Sequence, residues 1–253
     1  TQHICHRQNG IGADGLIFLE NSTGKSPYRM RIFNADGSEA EMCGNGLRCL
    51  AQLIRSTENI CKGFSIETMH QSMDISWNSG NPDLVSIDMP SPTSLRQKKL
   101  TVKKDEVSVH CLDTGVPHAV LFVDDLEDHQ HFSIAPHIRF HQEFHPKGTN
   151  VNFAKLLDDQ SVEIRTYERG VEAETLACGT GAVAVAIASA HAFNMKAPIK
   201  IRTRSGDHLY INFKNKIPHL TGLVMTGPAI KIFDGFIDIE KFGFQLKSSS
   251  PIR

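Results

Sequence analysis

The sequence contains the same uncommon motif twice, and this repeat limits how the chain can fold. Cys-Gly-x-Gly begins at Cys43 and again at Cys178, 135 residues later. Behind Cys43 apolar residues recur at i, i+3, i+4 and i+7, which predicts a helix. Behind Cys178 nearly every residue of about 180–193 is apolar, as in a helix surrounded by sheet. The repeat predicts two similar strand-rich units, each built around one central helix.

Strand-like runs lie on both sides of the two predicted helices. They are 15–20, 28–34, 64–69 and a pair within 72–90 in the first half, and 107–112, 118–124, 151–157 and 162–168 in the second. The Pro-Ser-Pro break at 90–92 is the predicted domain boundary. The segment 220–239 is again strand-like, and we expect it to return to the first unit. The predicted units are 1–95 with 230–253, and 96–229.

Charge and composition exclude several classes of partner. The formal net charge is −1 and the basic residues are scattered, so no footprint for nucleic acid or an anionic membrane is present. The longest apolar run, 182–190, is much shorter than the roughly 20 residues that cross a bilayer. The first residues lack the apolar region of a signal peptide, and the six cysteines are dispersed like free thiols. We expect a cytoplasmic protein with a small-molecule partner.

The Cys-Gly-x-Gly motif places a thiol where a helix begins. The first N–H groups of a helix have no intrahelical partners and bind anions such as carboxylates, and they also favour a thiolate over a thiol. Two such starts facing each other would hold a carboxylate, with one thiolate removing an α-proton and the other thiol returning one. The remaining cysteines are interpreted as small buried side chains, which is common for free cysteine: Cys5, Cys49, Cys61 and Cys111.

Four segments together resemble one family along nearly the whole chain. They are "NGIGADGLI", "RIFNADGSEAEMCGNGLRC", "YERGVEAETLACGTGA" and "GPAIKIFDGFI". In this combination the sequence resembles diaminopimelate epimerase, a two-cysteine enzyme of lysine and peptidoglycan precursor synthesis that works without pyridoxal phosphate. The resemblance implies an α/β (α+β) fold of two pseudo-twofold related units, each a mostly antiparallel curled sheet around a central helix. The active site would lie in the cleft between them.

The resemblance also implies roles for individual residues. Cys43 and Cys178 would be the acid/base pair, and His118 and Glu168 would tune the thiols. The implied substrate-binding residues are Asn34, Gly44, Asn45, Asn150, Glu168, Arg169, Gly179 and Thr180. For His118 an ordinary hydrogen-bonded strand histidine is the alternative interpretation. For Asn34 the alternative is turn formation, since Asn-Ala-Asp-Gly favours a turn.

The chain departs from the family pattern in two places. Val116 stands where the family has Asn in Gly-Asn-Pro-His, so a polar group is replaced by an apolar one. The family's opening strand and Gly-x-Gly-Asn-Asp-Phe loop have no counterpart in the printed sequence. The resemblance further implies a homodimer with Phe233 of "IFDGFI" at the contact.

Three alternatives stay open beside diaminopimelate epimerisation. Val116 favours a racemase or epimerase for another amino acid, although Asn45 stands where proline-type racemases have His. A non-catalytic binding protein of the same fold is the second alternative. A thiol redox enzyme is the third, and the absence of Cys-x-x-Cys at both motifs disfavours it.

Two other patterns are interpreted as incidental. The G-x-G-x-x-G from Gly10 to Gly15 is followed by a strand-like run, whereas a dinucleotide site needs a helix there. His137, His141 and His145 would align on one face of a helix, but prolines bracket the run and no further ligand completes a metal set. We expect a solvated helix face there, and neither metal nor cofactor.

Overall fold

The fold is described from a computed structural model, which defines residues 1–22, 24–40, 42–78, 80–215 and 219–238. These residues contain α1 (Gln2–Cys5), α2 (Gly44–Glu58), α3 (His129–Arg139), a short 3-10 helix (Gln142–Phe144) and α4 (Gly179–Phe193). The predicted central helices are α2 and α4, so both predictions are confirmed. No helix within these residues is long and apolar enough to span a membrane.

The described residues also form fifteen strands. They are β1 (Gly15–Asn21), β2 (Tyr28–Asn34), β3 (Glu39–Ala40), β4 (Phe64–Glu67), β5 (Ser72–Asn78), β6 (Asn81–Asp88), β7 (Thr93–Val102), β8 (Asp105–Asp113), β9 (Pro117–Phe122), β10 (Asn150–Asp158), β11 (Ser161–Glu168), β12 (Ala173–Thr175), β13 (Ile199–Arg202), β14 (His208–Lys214) and β15 (Thr221–Pro228). Every run predicted as a strand before residue 170 is confirmed. The strands that were not predicted are β3, β7, β12, β13 and β14.

All strands belong to one mixed, mostly antiparallel sheet. Its path is β1-β2-β4-β5-β6-β15-β14-β13-β11-β10-β9-β8-β7, with β3 beside β2 and β12 beside β11. The parallel pairs among the described strands are β2–β4, β9–β10 and β11–β13. The segments that connect β2 to β4 and β11 to β13 contain α2 and α4 respectively, as a parallel pair requires.

The two halves repeat one plan. β1 to β6 with α2 and β10 to β15 with α4 have the same order of elements and the same pairings. From the antiparallel pair of β6 and β15, the path of the sheet reads identically in both directions for five strands. This relation confirms the predicted fold class of two similar, pseudo-twofold related units.

The predicted domain boundary, the Pro-Ser-Pro break, lies between β6 and β7. The strand that pairs with the first half is β15. Beyond it, residues 229–238 form neither helix nor strand, so the strand prediction for 220–239 holds only as far as Pro228. Residues 239–253, and thus most of the predicted 230–253 segment, lie outside the described residues. The domain boundaries stay a prediction.

One apolar core contacts both central helices. Leu47 and Ile54 of α2 belong to the same buried cluster as Val183 and Ile187 of α4. A second cluster packs α3 against β7 to β10 around the fully buried Phe153. Because the first cluster includes side chains of both helices, it fixes α2 and α4 relative to each other.

Two predictions about single side chains are wrong. Cys5 and Cys111 are buried as expected, but Cys49 and Cys61 are exposed. Cys49 lies on the uncovered face of α2, and Cys61 lies in the loop that follows this helix. Free cysteines tend to be buried, but a cysteine stays exposed where no helix or strand covers its side chain.

The histidine run does not form one helix face. α3 ends at Arg139, His141 caps the 3-10 helix that follows, and His145 ends that helix. Of these three histidines, only His137 therefore lies on α3. Across the described parts of the chain, no group of three or more His, Cys, Asp or Glu side chains is placed to hold a metal ion.

Candidate active site

Each of the two motif cysteines caps a central helix. Cys43 precedes α2 with φ −142° and ψ 108°, and Cys178 precedes α4 with φ −126° and ψ 111°. The Cys43 Sγ accepts a hydrogen bond from the Gly46 N–H at 3.3 Å, as a cap side chain does. The Cys178 Sγ lies 3.5 Å from the Thr180 hydroxyl. Both thiols therefore sit where helix N–H groups are unpaired.

The starts of α2 and α4 face each other across one side chain, Met225 of β15. A Cβ atom placed on Gly44 would lie 2.7 Å from Met225 Cε, and one on Gly179 would lie 3.2 Å from the same atom. The Asn45 side-chain amide donates to the Ala177 carbonyl at 3.4 Å and so joins the two helix starts directly. Glycine at both positions permits this close approach.

Burial and a shared carboxylate control the ionisation of both thiols. Burial raises the pKa of the Cys43 thiol, and the N–H groups of Gly46 and Asn45 oppose that shift. Burial raises the pKa of Cys178 to about 12, and the charge of Glu168 adds to the increase. Glu168 also raises the pKa of Cys43. The structure therefore brings Glu168 and both cysteines into one electrostatic environment.

Glu168 ends β11 and is half-buried. Burial raises the pKa of its carboxyl group, and the Thr175 hydroxyl opposes this shift. A carboxyl group with a raised pKa, whose charge acts on two thiols, is the kind of perturbed acid that clusters at functional sites. Glu168 is thus the predicted site residue whose charge acts on both cysteine thiols.

His118 lies on β9 and is almost fully buried. Asn152 lies 3.1 Å from its Nδ1, and burial lowers the pKa of His118 to about 3 with a further contribution from the charge of Arg169. The Asn152 amide oxygen accepts from the Thr166 hydroxyl, so its NH₂ group faces Nδ1 and leaves the proton on Nε2. His118 is therefore a neutral hydrogen-bond donor. Its Nδ1 is hydrogen-bonded, as expected for an ordinary strand histidine, but its Nε2 has no partner within the described residues.

Asn152 and Thr166 were not singled out in the sequence. Asn152 is fully buried on β10, and its oxygen would lie 2.5 Å from a Cβ atom at Gly181. The last glycine of the second motif therefore gives room to the side chain that orients His118. The second Asn of "GTNVNF" was the available signal, because a polar residue within an apolar strand needs a partner.

Asn150 and Arg169 are joined to each other. The Asn150 side chain donates to the Pro117 carbonyl at 3.1 Å and accepts from the Arg169 N–H at 2.9 Å. Asn150 is buried, whereas the Arg169 side chain is half-exposed. The amide of Asn150 thus holds the backbone on which Arg169 is carried beside His118.

Asn34 is the predicted site residue that the described contacts do not join to the others. Its side chain is exposed and donates to the Ser38 hydroxyl at 3.0 Å, and its carbonyl accepts from the Gly37 N–H. These contacts form the turn that was the alternative interpretation. The turn lies between β2 and β3, on the chain segment that leads into Cys43.

Val116 lies in the turn between β8 and β9, next to the start of α4. Its carbonyl accepts from the Thr114 N–H at 3.1 Å, and the Thr114 hydroxyl donates to the Thr180 carbonyl at 3.1 Å. The turn is therefore fastened to the second motif by Thr114, a residue that was not predicted. The half-exposed Val116 side chain offers no hydrogen-bonding group at this position.

Phe233 lies in the extended segment after β15. It is 66 % exposed, and its neighbours Ile230, Ile232 and Phe236 are exposed as well. The structure therefore places Phe233 on an apolar surface segment, remote in sequence from the two helix starts.

Comparisons with known proteins match this chain along nearly its whole length. The sequence pattern of the diaminopimelate epimerase family matches residues 1–95 and 110–232. A diaminopimelate epimerase of Aquifex aeolicus (strain VF5) is 39 % identical over 243 residues, covering 95 % of this chain and 85 % of the relative. One of Archaeoglobus fulgidus is 37 % identical over 255 residues, covering 96 % and 87 %.

Solved structures share the fold at low sequence identity. A phenazine biosynthesis protein of the PhzF family from Bacillus anthracis has a TM-score of 0.65 at 15 % identity, over 90 % of this chain and 86 % of that one. A hydroxyproline epimerase from Agrobacterium vitis has a TM-score of 0.64 at 16 % identity, over 90 % and 76 %. These structures establish the two-domain architecture alone. The sequence matches establish more: the chain belongs to the diaminopimelate epimerase family.

Proposed function

We propose that this protein is a cofactor-independent amino acid epimerase, an isomerase that interconverts LL- and meso-diaminopimelate in the formation of lysine and peptidoglycan precursors. Membership of the family supports the substrate and the reaction. The single observation that carries the mechanism is the pair of cysteine-capped helix starts that face each other across Met225. An inversion of one carbon requires a base and an acid on opposite faces, and this arrangement supplies two thiols.

The reaction is a proton exchange at one α-carbon. One cysteine thiolate takes the α-proton, the electron pair stays on the carbon next to the carboxylate, and the opposite thiol gives its proton to the other face. The two cysteines have then exchanged protonation states, and the configuration has inverted. The reacting carboxylate lies against the helix-start N–H groups around Gly44, Asn45, Gly179 and Thr180, because these groups favour anions.

The distal amino acid end of the substrate is held by the residues around β11. Arg169 offers a planar guanidinium group that pairs with a carboxylate, and Asn150 fixes the backbone that carries it. Asn34 contributes from the turn before Cys43, and Glu168 accepts from the distal ammonium group. His118 and Glu168 tune the thiols, His118 as a neutral donor and Glu168 as a buried carboxyl group.

Deuterium incorporation tests the reaction directly. The protein is incubated with LL-diaminopimelate in deuterated water, and both isomers are analysed by mass spectrometry and chiral chromatography. We expect one deuterium at the α-carbon of the product formed. If neither isomer acquires α-deuterium, the protein does not catalyse this proton exchange on diaminopimelate, which leaves an epimerase for another amino acid or a non-catalytic binding protein.

Variants of the two cysteines test the two-base mechanism. Cys43→Ala and Cys178→Ala should each lower kcat for epimerisation by about 10²–10⁴-fold, the usual contribution of one general acid or base. The matched control is Cys49→Ala, which removes an exposed thiol of the same helix and should retain turnover. Near-normal epimerisation by either Cys43→Ala or Cys178→Ala would rule out the pair.

A second candidate activity is favoured by Val116. Without a polar side chain at this turn, the distal end of diaminopimelate loses one hydrogen bond, which is worth about 1–3 kcal/mol if a buried group is left unpaired. The candidate is an epimerase or racemase with a different amino acid substrate. A panel of amino acids assayed by chiral chromatography separates the two, since diaminopimelate is then not the substrate with the highest kcat/KM.

The proposal includes a homodimer that acts in the cytoplasm. The exposed apolar segment with Ile230, Ile232, Phe233 and Phe236 supports a contact between two copies. All six cysteines are free thiols, which supports a reducing compartment. Sedimentation velocity at micromolar concentration should find dimers, and Phe233→Asp should shift the population toward monomer. A wild-type protein that sediments only as monomer would contradict the dimer.

A further inference from the structure

A buried arginine lies one turn behind the first catalytic thiol, and the proposed mechanism gives it no role. Arg48 of α2 is only 5 % exposed. Its Nη2 donates to the Asn45 amide oxygen at 2.9 Å, its Nε donates to the Pro228 carbonyl at 3.3 Å, and its Nη1 lies 3.9 Å from the Met225 sulfur. All three partners are neutral. No salt bridge to Arg48 is found among the described residues.

Burying a charge without an opposite charge is costly, so the position of Arg48 needs a physical reason. Two groups that can become negative are on its own helix, Cys43 before it and Cys49 beside it, and Asp207 lies in the turn between β13 and β14. Cys49 is exposed and not part of the helix start, and Asp207 is exposed as well. The half-buried thiol of Cys43 begins the same helix and lies two residues before Asn45, which Arg48 binds, so it is the remaining group whose negative form this cation stabilises.

The second half of the molecule has no equivalent cation. Counting from the two cysteines, the position of Arg48 in α2 corresponds to Val183 in α4, which is fully buried and apolar. The groups that affect the ionisation of Cys178 are the Glu168 carboxylate, the Thr180 hydroxyl, the Gly181 N–H and Cys43. The groups around Cys43 are the same carboxylate, two helix N–H groups and the guanidinium of Arg48. The two thiols thus differ in one charged side chain.

We propose that Arg48 is a positioning residue that makes Cys43, and not Cys178, the ionised thiol of the free enzyme. This inference rests on the proposed two-thiol mechanism and deepens it, because it assigns the resting base. The free enzyme then accepts the isomer whose α-hydrogen faces Cys43, and must exchange protons before it accepts the other isomer. By binding the Asn45 amide oxygen, Arg48 also orients the amide NH₂ toward Ala177 and so aligns the two helix starts.

Alkylation by iodoacetamide tests this assignment without substrate. The thiolate sulfur attacks the CH₂ carbon, a sulfur–carbon bond forms and iodide leaves, so the pH dependence of the rate at each cysteine follows its ionised fraction. The full chain, with Cys49→Ser to remove the neighbouring exposed thiol, is alkylated between pH 6 and 10. Peptide mass spectrometry then follows Cys43, Cys178 and, as internal reference, the exposed Cys61.

We expect Cys43 to be alkylated faster than Cys178 at pH 8. Arg48→Gln should lower the Cys43 rate by about tenfold at this pH and move its rate profile upward by about one pH unit, the change that one pKa unit produces. The rates of Cys178 and Cys61 should not change. Arg48→Lys, which keeps a positive charge, should retain most of the Cys43 reactivity.

The control for charge alone is Arg55→Gln on the same helix. Arg55 binds the Pro82 carbonyl and stacks on Trp77 at the far end of α2, so its loss should leave the Cys43 profile unchanged. Faster alkylation of Cys178 in the wild type would overturn the proposal, as would an unchanged Cys43 profile in Arg48→Gln. Arg48→Lys decides the matter if Arg48→Gln fails to fold, because loss of Cys43 reactivity with the charge retained would also overturn it. Since no turnover is measured, failure here is distinct from failure of the deuterium experiment.

Discussion

The two central helices share a backbone plan but not a surface. α2 and α4 both have 15 residues, both begin after an extended cysteine, and both end at an asparagine in the left-handed region, with φ of 53° at Asn59 and 55° at Asn194. Yet α4 is buried at Gly179 and from Gly181 to Ser189, whereas α2 exposes Cys49 and Leu53. The caps thus determine the length and direction of each helix. Which of its faces are buried depends on the elements that cover it.

The cover differs because of the segment between the two repeats. The backbone of α4 lies close to β8 and β9 as well as β10, β11, β13 and β14, whereas the backbone of α2 lies closest to β1, β2 and β6 of its own half and to α4. β7 to β9 have no equivalent in the first half and extend the sheet on the side of the second. This extension encloses α4 and also supplies His118. The asymmetry of the fold therefore coincides with an asymmetry of the site.

The largest effect on stability is expected at a position that is buried in α4 but exposed in α2. Leu53 in α2 corresponds to Ala188 in α4, and their exposures are 44 % and 0 %. Ala188→Gln should lower the free energy of unfolding by about 4 kcal/mol, because it adds volume and an unpaired amide to a packed core. Leu53→Gln should change it by less than about 1 kcal/mol. Urea denaturation measures both, and equal losses would contradict the difference in cover.

Acid should destabilise the protein through the second half. Within the described residues, His110 and His118 are the buried histidines, and both lie there. The pKa of His118 is about 3 when folded and 6.5 when unfolded. Because the unfolded chain binds the proton first, stability is complete above pH 6.5 and falls as the pH decreases toward 3. At pH 4.5 this amounts to about 2–3 kcal/mol.

The matched variant for the acid effect is His118→Gln, which removes the titrating group. Its free energy of unfolding is expected to be lower at pH 7.5, but to depend less on pH between 6.5 and 4.5 than that of the wild type. The measured quantity is the slope and not the absolute stability. The same slope in both proteins would show that His118 is not the buried group responsible.

The sequence predicts the repeat better than it predicts what lies between the copies. Apolar spacing and the two motifs identified α2, α4 and most strands around them. β7 was missed because its residues are mostly polar and exposed, and the helix expected at the histidine run was placed too far along the chain, since α3 contains Pro136 and ends at Arg139. Local patterns report which residues are covered, so elements at the edge of the sheet leave a weak signal.

At the candidate site, the sequence predicts the reacting side chains but not the residues that support them. Cys43 and Cys178 were found from their motifs, and Glu168 and His118 came from the resemblance. Met225 and Asn152 were not found, since their contacts with the helix starts depend on pairings between distant strands. Arg48 stands inside a quoted motif, but a charged residue in an amphipathic helix is normally solvent-exposed, and its burial depends on β15.

The third comparison replaces glycine by alanine at equivalent positions in the two helices. A Cβ atom at Gly181 would lie 2.5 Å from the Asn152 oxygen, which Thr166 holds in place. At Gly46 it would lie 2.9 Å from the Ile32 Cδ1, the end of a side chain that can rotate. Gly181→Ala should therefore lower the free energy of unfolding by about 2 kcal/mol. Gly46→Ala should cost less than about 1 kcal/mol, since alanine favours the helix.

The two glycine variants are also compared in epimerase activity. Gly181→Ala displaces Asn152 and with it the orientation of His118, so epimerase activity should fall more than the loss of folded protein explains. Gly46→Ala leaves the Asn152 contact intact. If both variants are equally stable and equally active, the polar row of Thr166, Asn152 and His118 does not distinguish the two helix starts.

The smallest effect tests the feature that the two helices share. Asn59 and Asn194 are both exposed, so substitution there changes the backbone preference and little else. Replacing either by alanine should lower the free energy of unfolding by about 1 kcal/mol, because an L-residue with a Cβ atom is disfavoured in the left-handed region. Replacing either by glycine should leave stability unchanged or raise it slightly, since glycine adopts this conformation freely. Urea denaturation of the four variants compares the helix ends, and we expect the two alanine losses to agree within about 0.5 kcal/mol. Unequal losses would show that the left-handed caps are not equivalent, and that the repeat is limited to the cysteine ends of the helices, where the chemistry requires it.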